Sequence, residues 1–412
     1  DISESEPSAK YLEELLKQFN LEFNDLYKVN GPVNLSRLSD IASIVDFDNL
    51  KFPVFTAGLP KELRVQPDIF KAMAKSDILL HTPYESFDPV VELTRRAAED
   101  PNVLAVKMTV YRTGIDSELV QNLIKAARAG KQVVASIELF ARFDEEANVE
   151  LAAQLEEAGA HVVYGVMGYK VHAKILAIVR REGTEIKHYL HLGTGNYHQT
   201  TAKIYTDFGL LTTNPRMASD VDNIFNQITG VGKSGVLNEL FQSPFTLHDM
   251  VMKGIERETY NALNGEKAEI IAKMNSLVEN QVIRALYIAS QAGVKITLIV
   301  RGACALRPQL AGVSDNIIVK SVVGRFLEHH RIFYFHDSGN ENVFIASADW
   351  MNRNFFKRVE TCIPILNPKI KRRVLAEGLT IYIQDNVNSW LMNHDGSYTK
   401  TGIVGKRICA QE

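Results

Sequence analysis

The sequence has little cysteine, with three residues in 412, at Cys304, Cys362 and Cys409. Their number is odd, and no C-x-x-C pair is present. A disulfide framework and a cysteine-held zinc site are therefore both unsupported. We expect reduced, structural thiols.

The sequence also lacks an excess of positive charge, because its formal net charge is -3. A chain without a basic field does not collect nucleic acid or anionic lipid by charge alone. We therefore expect no nucleic-acid partner. Any polyanionic ligand must be held by local groups of cations.

Long apolar runs are missing as well. No stretch of about 18 apolar residues occurs, and no basic, apolar leader opens the chain. We expect a soluble, cytoplasmic protein without a membrane span, and leave attachment to a membrane surface open. The start at Asp1 instead of Met suggests a fragment or a processed chain. The length predicts two or three domains.

Hydrophobic periodicity predicts an α/β protein. Helical spacing covers Ala9 to about Phe23 and recurs over Leu35 to Ile44, before a loop near residue 60. From about Phe87, helices and strands alternate, which favours a layered α/β fold with parallel pairing. The predicted order is helix 90–98, strand 103–111, helix 117–129, strand 132–140, helix 145–158, strand 161–166, strand 168–179, strand 188–192 and a helix around 218–226.

The pattern repeats after the break at residues 230–235. We predict a helix over 269–291 and strands over 295–300, 316–323, 331–335 and 342–347. Each half carries a histidine followed two residues later by a cation, in the pairs His172/Lys174 and His329/Arg331. If the halves pack about a pseudo-twofold axis, each contributes one histidine to a shared cleft.

His172 is the provisional centre of this cleft. Side chains alternate along a strand, so Lys170, His172 and Lys174 are predicted to share one face. A neutral imidazole between two cations suits attack on an anionic phosphoryl group. A lone histidine in a strand is more often structural, but the duplication favours function. In the second half, His330 beside His329 leaves open which of the two acts.

Other polar residues keep two readings. Arg112, Arg142 and Arg301 follow predicted strand ends, where guanidinium groups can grip phosphate, but such arginines are equally often solvated or paired. Tyr205 is either a core residue or a stacking platform for a base. For Lys253, Lys273 and Asn275, an exposed position is favoured over a cleft position.

Several longer motifs resemble the polyphosphate kinases of the long, phospholipase-D-like type. They include Glu138 to Asn148, Lys170 to Lys174, Gly193 to Asn196, Tyr205 to Asp207, Leu298 to Gly302, Leu327 to His329 and Ser347 to Met351. The resemblance implies two tandem phospholipase-D-like α/β domains, over 60–239 and 240–412, behind a small helical segment over 1–59. That segment would belong to a head region through which the family forms homo-oligomers.

The implied activity is reversible transfer of the ATP γ-phosphate to inorganic polyphosphate through a phosphohistidine at His172. The resemblance assigns nucleotide contacts to Tyr205, Arg301 and His329, and proton transfer to His329. In the mechanism that we expect, Lys174 is a catalytic cation that binds and screens the phosphates. It also implies Mg2+, associated with Arg112 and Arg142. Because a guanidinium cation is a poor metal ligand, we expect these two residues to hold phosphate oxygens beside the metal or to offer backbone carbonyls.

The sequence departs from the phospholipase-D signature at two positions. Val179 replaces an aspartate, and Arg331 replaces the lysine of the second copy. Both changes point away from phosphodiester hydrolysis. A phosphodiesterase or nuclease, and an inactive polyphosphate-binding fragment, remain the alternatives.

Overall fold

The computed structural model of the chain describes residues 8–27, 35, 38, 41, 47–110, 117–138, 145–166, 168–230 and 235–412. The chain forms two compact units, Asp1–Phe55 and Thr56–Glu412. Among the described residues, no helix has both the length and the apolar character that crossing a bilayer requires. The predicted domain limits near residues 60 and 240 stay predictions.

The first unit begins with helix α1 (Ala9–Gln18), followed by short 3-10 helices at Phe23–Asp25 and Asp48–Leu50. The Ser8 side chain accepts a hydrogen bond from the Tyr11 backbone N–H and caps the helix start. The predicted helix extended to Phe23, but Asn20 has a left-handed φ of 54°, which turns the chain out of the helix. The predicted helix over Leu35 to Ile44 lies almost entirely outside the described residues.

Helices of the second unit are mostly amphipathic and lie between strands. Their bounds are α2 Lys61–Val65, α3 Ile69–Lys75, α4 Asp88–Glu99, α5 Glu118–Arg128, α6 Glu145–Glu157, α7 Gln199–Ala202, α8 Pro215–Ile228, α9 Leu247–Leu263, α10 Asn280–Gln291, α11 Asn352–Phe356, α12 Pro368–Leu375 and α13 Ile381–Gln384. A 3-10 turn at Asp337–Gly339 and a π-helical turn at Ala376–Thr380 complete the set for the described residues.

The strands supply the framework of the second unit. Their bounds are β1 Ile78–Thr82, β2 Val103–Val110, β3 Gln132–Ile137, β4 His161–Val163, β5 Lys170–Val171, β6 Lys174–Glu182, β7 Glu185–Gly193, β8 Tyr205–Thr212, β9 Phe241–Ser243, β10 Glu269–Met274, β11 Lys295–Val300, β12 Ile317–Val322, β13 Leu327–Glu328, β14 Arg331–Phe335, β15 Asn342–Ala346, β16 Arg358–Pro364, β17 Ser389–Met392 and β18 Tyr398–Lys400.

Two mixed sheets contain these strands. Over the described residues, the first has eight strands in the order β1-β8-β7-β6-β2-β3-β4, with β13 paired to β8. The second has ten in the order β18-β17-β12-β11-β10-β14-β15-β16-β5, with β9 paired to β16. Thus β13 of the second half joins the first sheet, and β5 of the first half joins the second. The two halves exchange short edge strands.

The sheets share a buried core. One cluster contains Ile175 and Phe208 of the first sheet together with Ile332 and Ile345 of the second. Two further clusters pack helices against one sheet each, one within residues 63–211 and one within residues 247–392. Apolar burial of this kind contributes roughly 25 cal/mol per Å2. The α/β class and the duplicated layout are as the sequence predicts.

The expected parallel pairing holds only in part. β2, β3 and β4 are parallel, as are β10, β11 and β12. Other neighbours, such as the β6–β7 hairpin, are antiparallel. The hairpin turns at Gly183, whose φ of 63° suits a residue without a Cβ. The sequence reading also missed β8, which contains Tyr205.

The single helix predicted over 269–291 was wrong. Residues Glu269–Met274 form β10, and the helix begins only at Asn280, where the Glu279 side chain accepts a hydrogen bond from the Val282 N–H at 2.7 Å. A strand that is covered on both faces reads as a short apolar run, which periodicity alone does not separate from a buried helix.

Candidate active site

His172 lies at a break between two strands. The predicted strand over 168–179 is interrupted, because β5 ends at Val171 and β6 begins at Lys174. The backbone N–H groups of His172 and Ala173 both donate to the Val359 carbonyl oxygen at 2.9 Å. The prediction that Lys170, His172 and Lys174 line one face of one strand was therefore wrong. Lys170 is exposed on the second sheet, whereas Lys174 is buried in the first.

A carboxylate from the other half holds the His172 ring. His172 Nδ1 lies 2.8 Å from Glu360 Oε2, and Glu360 is fully buried in β16. The same carboxylate accepts hydrogen bonds from Ser347 Oγ at 2.5 Å and Asn354 Nδ2 at 2.6 Å. These two hydrogen bonds restrict the orientation of the Glu360 carboxylate, and the carboxylate in turn orients the His172 imidazole.

Hydrogen-bond chemistry fixes the tautomer of His172. Burial raises the pKa of Glu360, but His172, Lys174 and Arg358 outweigh it and hold the pKa below its usual range. An ionised carboxylate only accepts, so Nδ1 of His172 carries the proton and donates it to Glu360. Burial also lowers the pKa of His172 to about 3, against the opposing charge of Glu360. The ring is neutral at pH 7, with its lone pair on Nε2.

Lys174 is buried beside this histidine. Its side chain is 1% exposed, and Nζ donates to the His172 carbonyl oxygen. Burial lowers the pKa of Lys174 to about 7, while Glu360 opposes the shift. The charges of Arg331 and Asp207 also act on this pKa. Groups from both halves therefore influence one ammonium group.

His329 repeats the arrangement in the second half. Its Nδ1 lies 2.9 Å from each carboxylate oxygen of Asp207, a residue of β8 in the first half. Thr194 Oγ1 donates to Asp207 at 2.6 Å. Burial favours the neutral form of His329 and lowers its pKa below the ordinary value. Because Asp207 accepts the Nδ1 proton, the lone pair of His329 also lies on Nε2.

The two sites are exchanged copies of each other. Each histidine follows a two-residue strand that pairs in parallel with a strand of the opposite half, β5 with β16 and β13 with β8. Each carboxylate partner comes from that opposite strand. Each also accepts a hydrogen bond from a hydroxyl, that of Ser347 in the motif Ser347 to Met351 or that of Thr194 in the motif Gly193 to Asn196. Each histidine unit is therefore completed by a carboxylate of the opposite half.

Cations and amides surround His329. Arg331 donates to Asp349 through Nε at 3.2 Å and NH2 at 3.0 Å, and its NH1 lies 3.2 Å from His329 Nε2. Burial raises the pKa of Asp349, but Arg331 and backbone donors lower it to about 2. Asn275 Nδ2 donates to the His329 carbonyl at 3.3 Å, and Arg301 Nε donates to Asn275 Oδ1 at 3.1 Å.

The three predicted nucleotide contacts are brought together. The Tyr205 ring lies 5.1 Å from the His329 ring, centroid to centroid, and is half-buried. Arg301 follows β11, which pairs in parallel with both neighbours, as the sequence argument places it. It reaches His329 through Asn275. An aromatic ring and a partly buried guanidinium therefore flank one histidine.

Sequence reasoning missed several groups of the site. Glu360 was not singled out, although a glutamate inside the buried strand Arg358–Pro364 is costly unless it is paired. The exposed positions favoured for Lys273 and Asn275 were wrong, because their side chains are 2% and 6% exposed. Lys253 is exposed, as expected. For Lys273, the sequence signal that was missed is a charged residue within the buried strand β10. The helix predicted over 269–291 hid this signal, because a lysine on a helix is commonly exposed.

The predicted metal-associated residues, Arg112 and Arg142, lie outside the described residues. Within the described ranges, no group of three or more His, Cys, Asp and Glu side chains is arranged to hold a metal ion. The carboxylates of Glu360, Asp207 and Asp349 are already engaged by cations, imidazoles and hydroxyls.

Comparison with known proteins matches one family domain to each half of the sequence. The family models for polyphosphate kinase C-terminal domain 1 and C-terminal domain 2 match residues 68–234 and 240–411. The polyphosphate kinase of Neisseria meningitidis serogroup B is 59% identical over 386 residues, which cover 94% of this chain and 56% of the relative. That of Burkholderia ambifaria is 54% identical over 404 residues, covering 97% and 59%. The chain spans somewhat more than half the length of these relatives.

Solved structures agree. The polyphosphate kinase of Porphyromonas gingivalis superimposes with a TM-score of 0.86 at 33% identity, covering 98% of this chain and 62% of that one. The phosphatidylserine synthase of Haemophilus influenzae has a TM-score of 0.51 at 10% identity, covering 77% and 88%, and shares the fold only. On these matches, which extend over both halves and both histidine sites, the chain belongs to the polyphosphate kinase family.

Proposed function

We propose that this chain carries the phosphoryl-transfer centre of a polyphosphate kinase, and that His172 accepts the γ-phosphoryl group of ATP. The observation that carries this proposal is the buried pair of His172 and Glu360. A neutral imidazole whose Nδ1 proton is held by a carboxylate presents Nε2 as the nucleophile. The family membership supports ATP and polyphosphate as the substrates.

The proposed transfer has two steps. In the first, Nε2 of His172 forms a bond to the γ-phosphorus while the bond to the bridging oxygen of ADP breaks. In the second, a terminal oxygen of polyphosphate attacks the phosphorus, and the P–N bond breaks. Glu360 stabilises the positive charge that the ring acquires when phosphorylated. Because the phosphorylated ring keeps a high transfer potential, both steps are reversible.

The surrounding residues take supporting roles in this proposal. Lys174 contacts the His172 carbonyl oxygen, and Arg331 contacts the His329 ring. The two cations compensate the negative charge of the transferring phosphoryl group. Tyr205, Arg301 and His329 form the nucleotide side, and His329 exchanges a proton through Nε2. Magnesium would be carried by the phosphates of the substrate, whose charge it neutralises.

The test is direct labelling of the chain. Incubation with [γ-32P]ATP and magnesium should give an acid-labile, alkali-stable label that His172→Ala removes. His161→Ala serves as the matched control, because His161 is an exposed histidine of β4. A label that persists in His172→Ala would refute the assignment. Polymer formation in the same incubation tests turnover.

The phosphodiesterase alternative has weaker support. The relatives at 54% and 59% identity are polyphosphate kinases, whereas the phosphatidylserine synthase shares only the fold. Release of alcohol from a model phosphodiester without consumption of ATP would favour that alternative. Tight polyphosphate binding with neither label nor turnover would indicate an inactive binding fragment.

A further inference from the structure

The two histidine sites differ in what lies behind them. In the pairing of β5 with β16, Val171 is opposite Val359, and His172 follows. In the equivalent pairing of β13 with β8, Glu328 is opposite Thr206, and His329 follows. All four of these side chains are buried. The same strand pairing thus places an apolar residue pair next to His172 and a polar residue pair next to His329.

The difference extends to two more equivalent positions. β2 pairs with β6, and β10 pairs with β14, in matching registers that make Thr109 the counterpart of Lys273. The residue after each histidine also differs, since Ala173 in the first half corresponds to His330 in the second. Thr109 donates to the Ala173 carbonyl at 2.7 Å and closes the strand break. Lys273 instead enters a network of charged and polar side chains.

This network is a closed ring of short contacts between four buried residues. Its members are Lys273, Glu328, His330 and Thr206, exposed by 2%, 3%, 1% and 0%. The separations are 2.5 Å for Lys273 Nζ to Glu328 Oε2, 3.0 Å for Lys273 Nζ to His330 Nε2, 2.8 Å for His330 Nδ1 to Thr206 Oγ1 and 3.1 Å for Thr206 Oγ1 to Glu328 Oε2.

The directions of these hydrogen bonds follow from the chemistry of the groups. An ammonium only donates, so Lys273 donates to Glu328 and to Nε2 of His330. Burial holds the pKa of His330 well below its ordinary value, which leaves the proton of the neutral ring on Nδ1, where it is donated to Thr206. The Thr206 hydroxyl then donates to Glu328. Further partners border the ring, since Gln411 Nε2 donates to Glu328 Oε1 and the Thr206 carbonyl oxygen lies 3.3 Å from His330 Nδ1.

The ring reaches the active site through Thr206. The remaining lone pair of Thr206 Oγ1 accepts the backbone N–H of His329 at 3.1 Å. Asp207, which holds the His329 ring, is the next residue of the chain. A shift of Thr206 therefore moves both the backbone of His329 and the carboxylate that orients its imidazole.

The first half has the same strand exchange without these polar groups. Replacing a buried ion pair by apolar groups of similar shape is often neutral or stabilising. The first half supplies that case within one molecule, because Val171, Val359, Thr109 and Ala173 occupy the equivalent places and the strand exchange is the same. A charged network retained at one of two equivalent sites points to a role at that site.

We propose that Lys273, Glu328, His330 and Thr206 are positioning residues for His329. They fix the backbone N–H and the neighbouring Asp207, so that His329 Nε2 is held in place during phosphoryl transfer. The inference rests on the proposed function, since it assumes that His329 takes part in the reaction. It also distinguishes the two adjacent histidines, whose roles the sequence left open. His330 belongs to the hydrogen-bonded network, and His329 is the histidine that faces the substrate.

Thr206→Val is the sharpest test, because valine matches threonine in shape and removes one hydroxyl. We expect kcat for polyphosphate synthesis to fall at least tenfold, because the hydroxyl connects Glu328, His330 and the His329 N–H and valine removes all three hydrogen bonds. Thr206→Ser should restore kcat to within about twofold of the unmodified chain. Thr200→Val, at an exposed threonine of α7, is the matched control and should leave kcat unchanged.

A double-mutant cycle separates positioning from general damage. In the His329→Ala background, measured in single turnover, Thr206→Val should change the rate by less than about twofold, because its effect passes through His329. An undiminished tenfold loss in that background, or a kcat for Thr206→Val equal to that of the unmodified chain, would overturn the inference. Failure of Thr206→Ser to restore activity would also overturn it.

A second variant guards against a folding defect. The combination of Lys273→Thr, Glu328→Val, His330→Ala and Thr206→Val gives the second half the side chains that the first half already accommodates. It should unfold at a temperature close to that of the unmodified chain and lose His329-dependent turnover. Full activity in this variant would contradict the proposal. Absence of phosphohistidine in the unmodified chain would instead refute the proposed function, so the two failures are distinguishable.

Discussion

Glu360→Gln tests how much of the reactivity of His172 comes from its carboxylate partner. The substitution keeps the side-chain shape but replaces one acceptor oxygen by an NH2 donor. Glu360 is fully buried and accepts from His172, Ser347 and Asn354, so the amide cannot satisfy all three donors. If the NH2 group faces His172, the ring must expose a lone pair at Nδ1 and carry its proton on Nε2. That tautomer cannot attack phosphorus through Nε2.

The expected cost follows from the lost charge. Breaking a buried ion pair costs about 3 to 5 kcal/mol, because the remaining group is left uncompensated. The phosphorylated ring is the state that loses this compensation, so its formation should slow by about 10^2- to 10^4-fold. Part of the cost to stability is avoided, since Lys174, whose pKa is about 7, can release its proton when Glu360 is neutralised.

The assay is rapid-quench measurement of the first turnover with [γ-32P]ATP at saturating concentration. Glu341→Gln serves as the control, because Glu341 is an exposed glutamate of the same half. Circular dichroism and thermal unfolding should show that Glu360→Gln is folded. A folded Glu360→Gln variant that phosphorylates His172 within about twofold of the unmodified rate would refute this account of the pair.

Three further predictions concern the same site. In Gly195→Ala, the added Cβ would meet the Asp207 carboxylate oxygen at 2.2 Å, so we expect displacement of Asp207 and at least a tenfold lower kcat in a steady-state assay; unchanged kcat would contradict this. The folded-state pKa of His172 is about 3, compared with an ordinary value of 6.5, so the imidazole stays neutral in mild acid. The single-turnover rate should therefore fall less than twofold between pH 7 and 5.5. The neutral fraction of a histidine with the ordinary pKa would fall about eightfold over the same range. The same depressed pKa contributes stability fully above pH 6.5, which is lost as the pH falls toward 3. Lys174→Met should lower the thermal unfolding midpoint, because the buried Glu360 carboxylate loses one of the cations that compensate it, and phosphorylation should slow at least a hundredfold; an unchanged midpoint would count against this reading.

Much of the fold follows from local pattern. Alternating helices and strands predict the α/β class, and β14 lies at the predicted limits of Arg331–Phe335. The duplication was readable because a His-x-cation unit recurs in each half. Strand direction and the break at His172 were not readable, since both depend on which distant strand supplies the hydrogen-bond partners.

The candidate site divides in the same way. Reactive residue types within apolar runs, such as His172, Lys174 and His329, stand out because burial of polar groups is costly without partners. Their partners do not stand out. Glu360 lies 188 residues from His172, and Asp207 lies 122 residues from His329. No local signal connects positions so far apart in the chain.

The sequence by itself determined the class of fold, the duplication and the pair of histidines, because these depend on periodicity and on the cost of burying polar side chains. Only the tertiary structure decided that each half lends its carboxylate to the histidine of the other. It also decided that Lys273 is buried behind His329 while the equivalent place behind His172 holds Thr109. The physical reason is that pairing across exchanged strands, and the hydrogen bonds that follow from it, are set by contacts between residues remote in sequence.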